Sequence, residues 1–430
     1  MFVILRSLPG QRRIPYLPRE RVLELRDERA RAIARYAAET VPFYRDAFRR
    51  EGLDPREIRS ADDLERLPLI DRAVVQASPE RFHAESAAGQ NAVPFSTSGS
   101  SGMRLTVFHD RDALLADVGH SERERVVAVK FTGKRLRYVS VAIGHRTATG
   151  RSVQAFYRQA SFRPFRPKRH EIPMEYSLER VVEEINGVQP DIVGGFGSYV
   201  ELLFKTVALK GLELHRPRLV MYGGDMMSPA GRQFIEERFG LPVISIYNAV
   251  EAFKVGFFCE ERRGFHLHED LCHVRVANGA DAESGELVVS NLVNRGTVLL
   301  NYRIGDVARL APPGCECGRT SRLLSELQGR VQEIIRLRDG AVFHPFYISP
   351  FTPEWVGITR YQLVQHEPDR FELKLAAPSR AAFDSIAPLA ASQVAELLHG
   401  AAVEPTYHEA LDPGPRGKFS PVVALPSEAA

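Results

Sequence analysis

The sequence predicts an α/β protein of two domains or more, and three observations carry that prediction. From Tyr138 onward, short β-branched runs alternate with helical ones, the pattern of parallel strands joined by crossover helices. After Phe257 the texture changes to short strands separated by turns, as in a small β-rich subdomain. With 430 residues and 44% hydrophobic content, the chain can also bury a core larger than one domain usually holds.

An amphipathic surface helix is expected from about residue 19 to 40. Val22, Leu23, Leu25, Ala30, Ile33 and Ala37 recur there near helical spacing among Arg and Glu. Residues 138–143, 191–193, 219–222 and 243–247 read as strands, and 178–185, 199–209 and 230–239 as helices between them. Such sheets bind ligands at the carboxyl ends of their strands, which here carry His145-Arg146, Gly223-Gly224-Asp225 and Tyr247. Residues 285–290 and 297–302 are expected strands of the β-rich part. No internal repeat or low-complexity linker is visible.

Charge and cysteine usage exclude several classes. A net charge of +3 is too small to suggest nucleic-acid binding, which needs a concentrated basic face. The basic run within 158–169 (Arg158, Arg163, Arg166, Lys168 and Arg169) reads as a solvated loop or as a dock for a phosphorylated or acidic partner. The apolar opening Met1 to Leu5 is too short for a signal peptide or a membrane span, so a cytoplasmic protein is expected. The cysteines are Cys259, Cys272, Cys315 and Cys317; without an export signal, a disulfide framework is not expected.

The loop Pro94-Phe95-Ser96-Thr97-Ser98-Gly99-Ser100-Ser101-Gly102 is suited to wrap a polyphosphate. Its glycines let backbone approach an anion and its hydroxyls add donors. Met103-Arg104 follows, so the Gly-Lys-Ser/Thr of a P-loop is missing. Taken alone, such a loop is more often a plain connection. Further segments agree with the phosphate reading: Val41-Pro42-Phe43-Tyr44-Arg45, Gly223-Gly224-Asp225, Tyr247-Asn248-Ala249-Val250-Glu251, Gly285-Glu286-Leu287-Val288-Val289, Asn301-Tyr302-Arg303-Ile304-Gly305-Asp306, Gly329-Arg330 and Gly417-Lys418. In this order they resemble the adenylate-forming superfamily, specifically its phenylacetate–CoA ligase-like branch, over nearly the whole chain. The resemblance implies a large N-terminal α/β domain with parallel sheets over 1–328, including a β-rich subdomain at about 257–328. It also implies a small, mobile C-terminal α+β domain over 329–430 that carries the adenylation lysine.

The chemistry implied by the resemblance is attack of a carboxylate on the α-phosphate of ATP, then transfer of the acyl group to a thiol. The loop from Ser96 through Thr97, Ser98, Gly99, Ser100 and Ser101 to Gly102 would hold the β- and γ-phosphates. Glu251 would carry Mg²⁺, Tyr247 would stack on adenine, and Asp306 would accept hydrogen bonds from both ribose hydroxyls. Gly223, Gly224, Asp225 and Asn248 would complete the nucleotide site, with Arg330 reaching the ribose or phosphate. Lys418 would bridge the carboxylate and α-phosphate oxygens. Singly, a strand-end Tyr, a turn Asp and a tail Lys are ordinary packing and surface residues; Arg303 is evenly balanced between such a role and a functional one. Two departures stand out. Relatives often read Tyr-Gly-x-Thr-Glu where this chain has Asn248 and Val250, which removes a phosphate donor, and the hinge position after Arg330 is Gln332.

Gly194-Gly195-Phe196-Gly197-Ser198-Tyr199 resembles the family stretch that lines the acyl pocket. Phe196, Gly197 and Ala249 are expected substrate contacts, and so is His145, against the equal alternative of a satisfied histidine at a strand end; a flat or aryl carboxylic acid is the expected substrate. Cys259, His266, Cys315 and Cys317 form a candidate structural zinc site, against the alternative of free thiols, with His268 and Cys272 as substitutes. His266, His268 and Asp270 would share one face of a strand; ordinary polar packing is expected for the last two. The expected acceptor is CoA or a carrier-protein thiol, and a homodimer is compatible with the sequence. An amine acceptor, transfer of AMP to a coenzyme hydroxyl such as that of a deazaflavin, and a non-catalytic homologue are the rival readings; the presence of Lys418 counts against the last.

Overall fold

The computed structural model describes residues 9–97, 104–134, 138–145, 168–277, 283–344, 355, 357–412 and 417–426. In chain order its main elements are α1 (Arg19–Thr40), α2 (Pro42–Arg50), α3 (Arg72–Ala77), β1 (Val93–Ser96), β2 (Thr106–His109) and α4 (Arg111–Thr132). An alternating stretch follows: β3 (Val139–Gly144), β4 (Lys168–Pro173), α5 (Leu178–Val188), β5 (Ile192–Gly195), α6 (Gly197–Lys210), β6 (Leu219–Gly223) and α7 (Pro229–Phe239). Next come the strands β7 (Val243–Ala249), β8 (Phe253–Phe258), β9 (Phe265–Leu267), β10 (Cys272–Ala277), β11 (Ser284–Asn291), β12 (Tyr302–Ala311) and β13 (Leu323–Arg330). The chain closes with β14 (Ile335–Arg336), β15 (Val342–Phe343), β16 (Arg360–Glu367), β17 (Arg370–Ala376), α8 (Arg380–Leu397), β18 (Ala402–His408) and β19 (Val422–Val423).

These elements form two compact units. The first draws on segments within 1–137 and 244–326. Helix α1 buries the stripe Val22, Arg26, Ala30, Ile33, Ala34 and Ala37, which apart from the adjacent Ile33–Ala34 pair are three or four residues apart, as one helix face requires. Pro42 opens α2 at its first turn, where a missing N–H costs nothing. The strands of this unit run β10-β11-β12-β13-β9-β8-β7, and the pairs β10–β11, β11–β12, β13–β9, β8–β9 and β7–β8 are antiparallel. Every residue of β8 is buried, so this strand is hydrophobic throughout except for Lys254.

The second unit draws on segments within 138–146, 168–243 and 327–430. Here β6-β5-β3-β4 are parallel neighbours. Their registers set Ile143 beside Gly195 and Gly195 beside Tyr222, so the residues that follow β3, β5 and β6 line up along one carboxyl edge. Val181, Val182 and Ile185 of α5 and Leu203 and Val207 of α6 cover the sheet. The last hundred residues build the sheet β18-β17-β16-β19, packed on α8 through Phe383, Ala387, Ala390 and Val394.

The expected strand at 297–302 is corrected by the structure: the strand begins only at Tyr302 and runs to Ala311. The preceding residues are apolar and buried, which mimics a strand in sequence, yet their N–H groups point to separate partners. Thr297 donates to Phe108 O, Val298 to Phe82 O, and Leu300 to the Tyr44 hydroxyl. Asn301 sits at φ +55°, outside strand geometry. Among the described residues no helix is long and apolar enough to cross a membrane.

Candidate active site

In the first unit, β1 and β2 form an antiparallel hairpin that pairs Ser96 with Thr106. Thr97 closes it: its N–H donates to Leu105 O at 2.9 Å, and its hydroxyl accepts from Leu105 N at 3.1 Å. The Ser96 and Thr106 hydroxyls meet at 3.1 Å. Ser96 and Thr97 thus fix the base of the hydroxyl loop, while Ser98, Gly99, Ser100, Ser101 and Gly102 lie outside the described residues.

Tyr247, near the end of β7, and Asp306, on β12, are brought together although 59 residues apart: the Tyr247 hydroxyl donates to Asp306 Oδ2 at 2.5 Å. Both are buried. Glu251 is buried too, and its Oε1 accepts from Arg72 at 3.2 Å and from the Tyr302 hydroxyl at 3.5 Å.

The departure at Val250 has a packing explanation. Its side chain lies against the buried cluster of Phe95, Leu114 and Phe253, and its carbonyl accepts from His109 Nε2 at 2.7 Å. Burial pushes the His109 imidazole down to about 3, so this histidine stays neutral and serves as a fixed donor. Asn248 is exposed and Ala249 half-buried. Arg303 is engaged by Glu286 at 3.5 Å.

The sulfur atoms of Cys259, Cys315 and Cys317 and a ring nitrogen of His266 lie within 4.8 Å of one another. Cys259 and Cys315 sulfurs are 3.7 Å apart, and Cys317 Sγ is 3.2 Å from His266 Nε2. A tetrahedron with Zn–S bonds of about 2.3 Å separates its sulfurs by about 3.7 Å, so the donor set fits the metal. His266 Nδ1 lies 3.0 Å from the Ser321 hydroxyl, which would fix Nε2 as the ligand atom. A hydrogen bond between the thiols lowers the Cys317 value and raises that of Cys259. His268 and Cys272 are placed elsewhere: His268 contacts Arg123 at 3.2 Å, and the Cys272 thiol donates to the Lys254 and His268 carbonyls.

In the second unit, His145 follows β3 and lies 3.4 Å from Glu175, just beyond β4. Phe196 caps α6 at its N-terminus and is half-buried. Gly197 admits no side chain, because a Cβ would meet Met227 N at 2.6 Å and the Tyr222 ring at 2.8 Å; this close approach brings α6 onto the turn after β6. There Ser198 donates to Asp225, through its hydroxyl to Oδ2 at 2.5 Å and its N–H to Oδ1 at 3.3 Å. Burial pushes the Asp225 carboxyl up to about 6, against those hydrogen bonds and the positive charge of Lys418. Lys418 is half-buried and follows Gly417, whose φ of +81° and contacts to Met174 and Phe196 leave no room for a side chain. Gly223 ends β6 and Gly224 follows it at φ +88°. The Arg330 N–H donates to Glu333 at 3.4 Å.

Sequence reasoning missed Arg72, Ser198, Glu175 and Arg360. Ser198 carried a signal, a serine at a helix start. The others carried none, since their partners are distant in sequence or on other strands.

Comparison with known proteins follows this geometry. No family model matches the chain. The phenylacetate–coenzyme A ligase of Thermus thermophilus is 25% identical over 351 residues, covering 76% of this chain and 74% of the relative. That of Aromatoleum evansii is also 25% identical, over 347 residues, covering 75% and 73%. Among solved structures, a 2-hydroxyisobutyryl-CoA ligase in the postadenylation state superimposes with a TM-score of 0.77 over 97% of this chain and 92% of that one, at 17% identity.

Proposed function

We propose that this chain, which has the fold of the adenylate-forming enzymes and resembles phenylacetate–CoA ligases in sequence, is an AMP-forming acid–thiol ligase. A carboxylate oxygen attacks the α-phosphorus of ATP, the bond to the β-phosphate breaks, and pyrophosphate leaves. A thiol, having lost its proton, then attacks the acyl carbon and expels AMP. The observation that carries this reading is the Tyr247–Asp306 pair, in which two distant motif residues converge into an aromatic face beside a carboxylate.

In this reading Tyr247 covers adenine and Asp306 receives the ribose hydroxyls. Glu251 would hold magnesium, which neutralises phosphate charge, while Arg72 orients the carboxylate. The hydroxyl loop from Ser96 to Gly102 takes the phosphates. In the second unit Phe196 and His145 contact the acid, an aryl or related one, and Lys418, on the small domain assigned to 329–430, stabilises charge as the adenylate forms. Cys259, His266, Cys315 and Cys317 would hold a structural zinc with closed coordination, remote from the chemistry. We assign CoA as the acceptor and the cytoplasm as the location.

ATP–pyrophosphate exchange across aryl, aliphatic and amino-bearing acids, with and without CoA, tests the proposal. Acid-dependent exchange with CoA-dependent AMP release is the expected result. Exchange that CoA leaves unresolved would move the acceptor to a carrier-protein thiol or an amine. ATP consumption with a coenzyme hydroxyl and no acid would replace the proposal by nucleotidyl transfer.

A further inference from the structure

Arg360, the first residue of β16, is only 7% exposed. Burial depresses its guanidinium, with Asp225, Glu201 and Tyr199 acting in the opposite direction. Removing a guanidinium from water is costly unless its donors and charge are met. No direct ion pair of Arg360 is seen among the described residues. Its donors go to two backbone carbonyls: Nη1 to Leu411 O at 3.2 Å and Nη2 to Ser198 O at 3.3 Å. Its plane lies over the Phe419 ring, 4.4 Å from the centroid, a cation–π contact that strengthens when water is excluded.

Those three contacts share one property. Phe419 directly follows Lys418, Leu411 lies seven residues before it, and Ser198 is the residue that donates twice to Asp225, the carboxylate that feels the Lys418 charge. One guanidinium therefore grips the lysine-bearing segment before and after the lysine, and also the helix start that holds the lysine's counter-charge. Gly417 adds to the constraint, since its positive φ and its contacts to Met174 and Phe196 fix the turn from the other side. A planar fork reaches two carbonyls and a ring at once, which an ammonium cannot do.

We propose that Arg360 is a positioning residue for the adenylation half-reaction, seating Lys418 through Leu411, Phe419 and the Ser198–Asp225 pair. The inference rests on the reading of Lys418 as the adenylation lysine. Thioester formation from a finished adenylate has no β-phosphate to expel, so the seating matters to the first half-reaction and not to the second.

The test measures both halves in Arg360→Ala and Arg360→Lys, using an acid that supports exchange in the wild type. Adenylation is read as ATP–pyrophosphate exchange, and thioester formation as CoA consumption from the synthetic acyl-adenylate. Misplacement of a reacting group by about 1 Å can cost about 100-fold, so kcat for exchange should fall about 10- to 100-fold in Arg360→Ala. KM for ATP and the thioester rate should each stay within about threefold, and Arg360→Lys should recover part of the loss. Equal loss in both halves marks a merely structural arginine and overturns the proposal, as does exchange that remains within threefold of wild type. If Arg360→Ala does not fold, Phe419→Leu, which keeps an apolar side chain but removes the ring, should show the same split at smaller size; unchanged exchange in that variant overturns the proposal too. Wild-type protein that shows no acid-dependent exchange overturns the ligase reading itself, and this inference with it.

Discussion

Two carboxylates in this molecule are displaced in opposite directions, and the contrast distinguishes a structural carboxylate from one in the proposed site. Asp270, in the first unit, is fully buried and takes both guanidinium nitrogens of Arg123 at 2.8 Å, with His120 Nε2 at 3.1 Å and Arg29 at 3.6 Å. Burial works to raise its carboxyl, but Arg123 and His120 outweigh it and hold the group well below the usual range. Asp225, in the second unit, is half-buried, meets a serine and feels one lysine, and burial carries it up to about 6. A carboxylate surrounded by permanent cations is committed to one state. One held near the working pH, with Lys418 and Arg360 as its cationic neighbours, is the kind found at functional sites.

The largest expected effect falls on the scaffold. Asp270→Ala leaves Arg123 buried without its partner, and loss of one member of a buried pair costs about 3–5 kcal/mol. Urea denaturation should show that loss, with a still smaller change for Asp225→Asn; equal losses would erase the distinction.

Acid titration sharpens the same contrast through opposite slopes. The folded-state value of Asp270 lies below its ordinary 3.8, so its contribution is present above that value and is lost as pH falls. Asp225 is raised above 3.8 to about 6, so the folded state keeps its proton longer and the stability tied to it declines as pH rises through that window. The functional expectation runs the other way: the ionised carboxylate attracts the Lys418 charge, so exchange should rise through about pH 6. That limb should vanish in Asp225→Asn, and its persistence would assign it to another group.

The proposed zinc cluster of Cys259, His266, Cys315 and Cys317 lies in the first unit. Purified protein should hold about one zinc per chain, and Cys317→Ser should release it and lower Tm. The residual exchange per folded molecule should change by less than about threefold; a metal-dependent loss of chemistry in folded protein would contradict a structural role.

The elements that give the second unit its sheet were legible because strand and helix periods differ sharply over 138–247. The sequence reading gave 178–185 for a helix that spans Leu178–Val188, and 219–222 for a strand that spans Leu219–Gly223. The 297–302 segment was misread because its buried Val298, Leu299 and Leu300 have a strand's composition, while their hydrogen bonds are dispersed over partners far away in sequence. The four-residue Cys/His cluster was legible because few residue types offer soft ligands. Arg72 was not, since nothing local marks an arginine whose partner Glu251 is 179 residues away. Arg360 was hidden for the same reason, 162 residues from Ser198.

The central claim is that Lys418 serves the formation of an acyl-adenylate. It is tested most directly by ATP–pyrophosphate exchange in wild type and Lys418→Ala, with circular dichroism and Tm recorded on both. The account predicts acid-dependent exchange that falls at least about 100-fold in the variant, with fold and Tm preserved. Full exchange in a folded Lys418→Ala protein would contradict it.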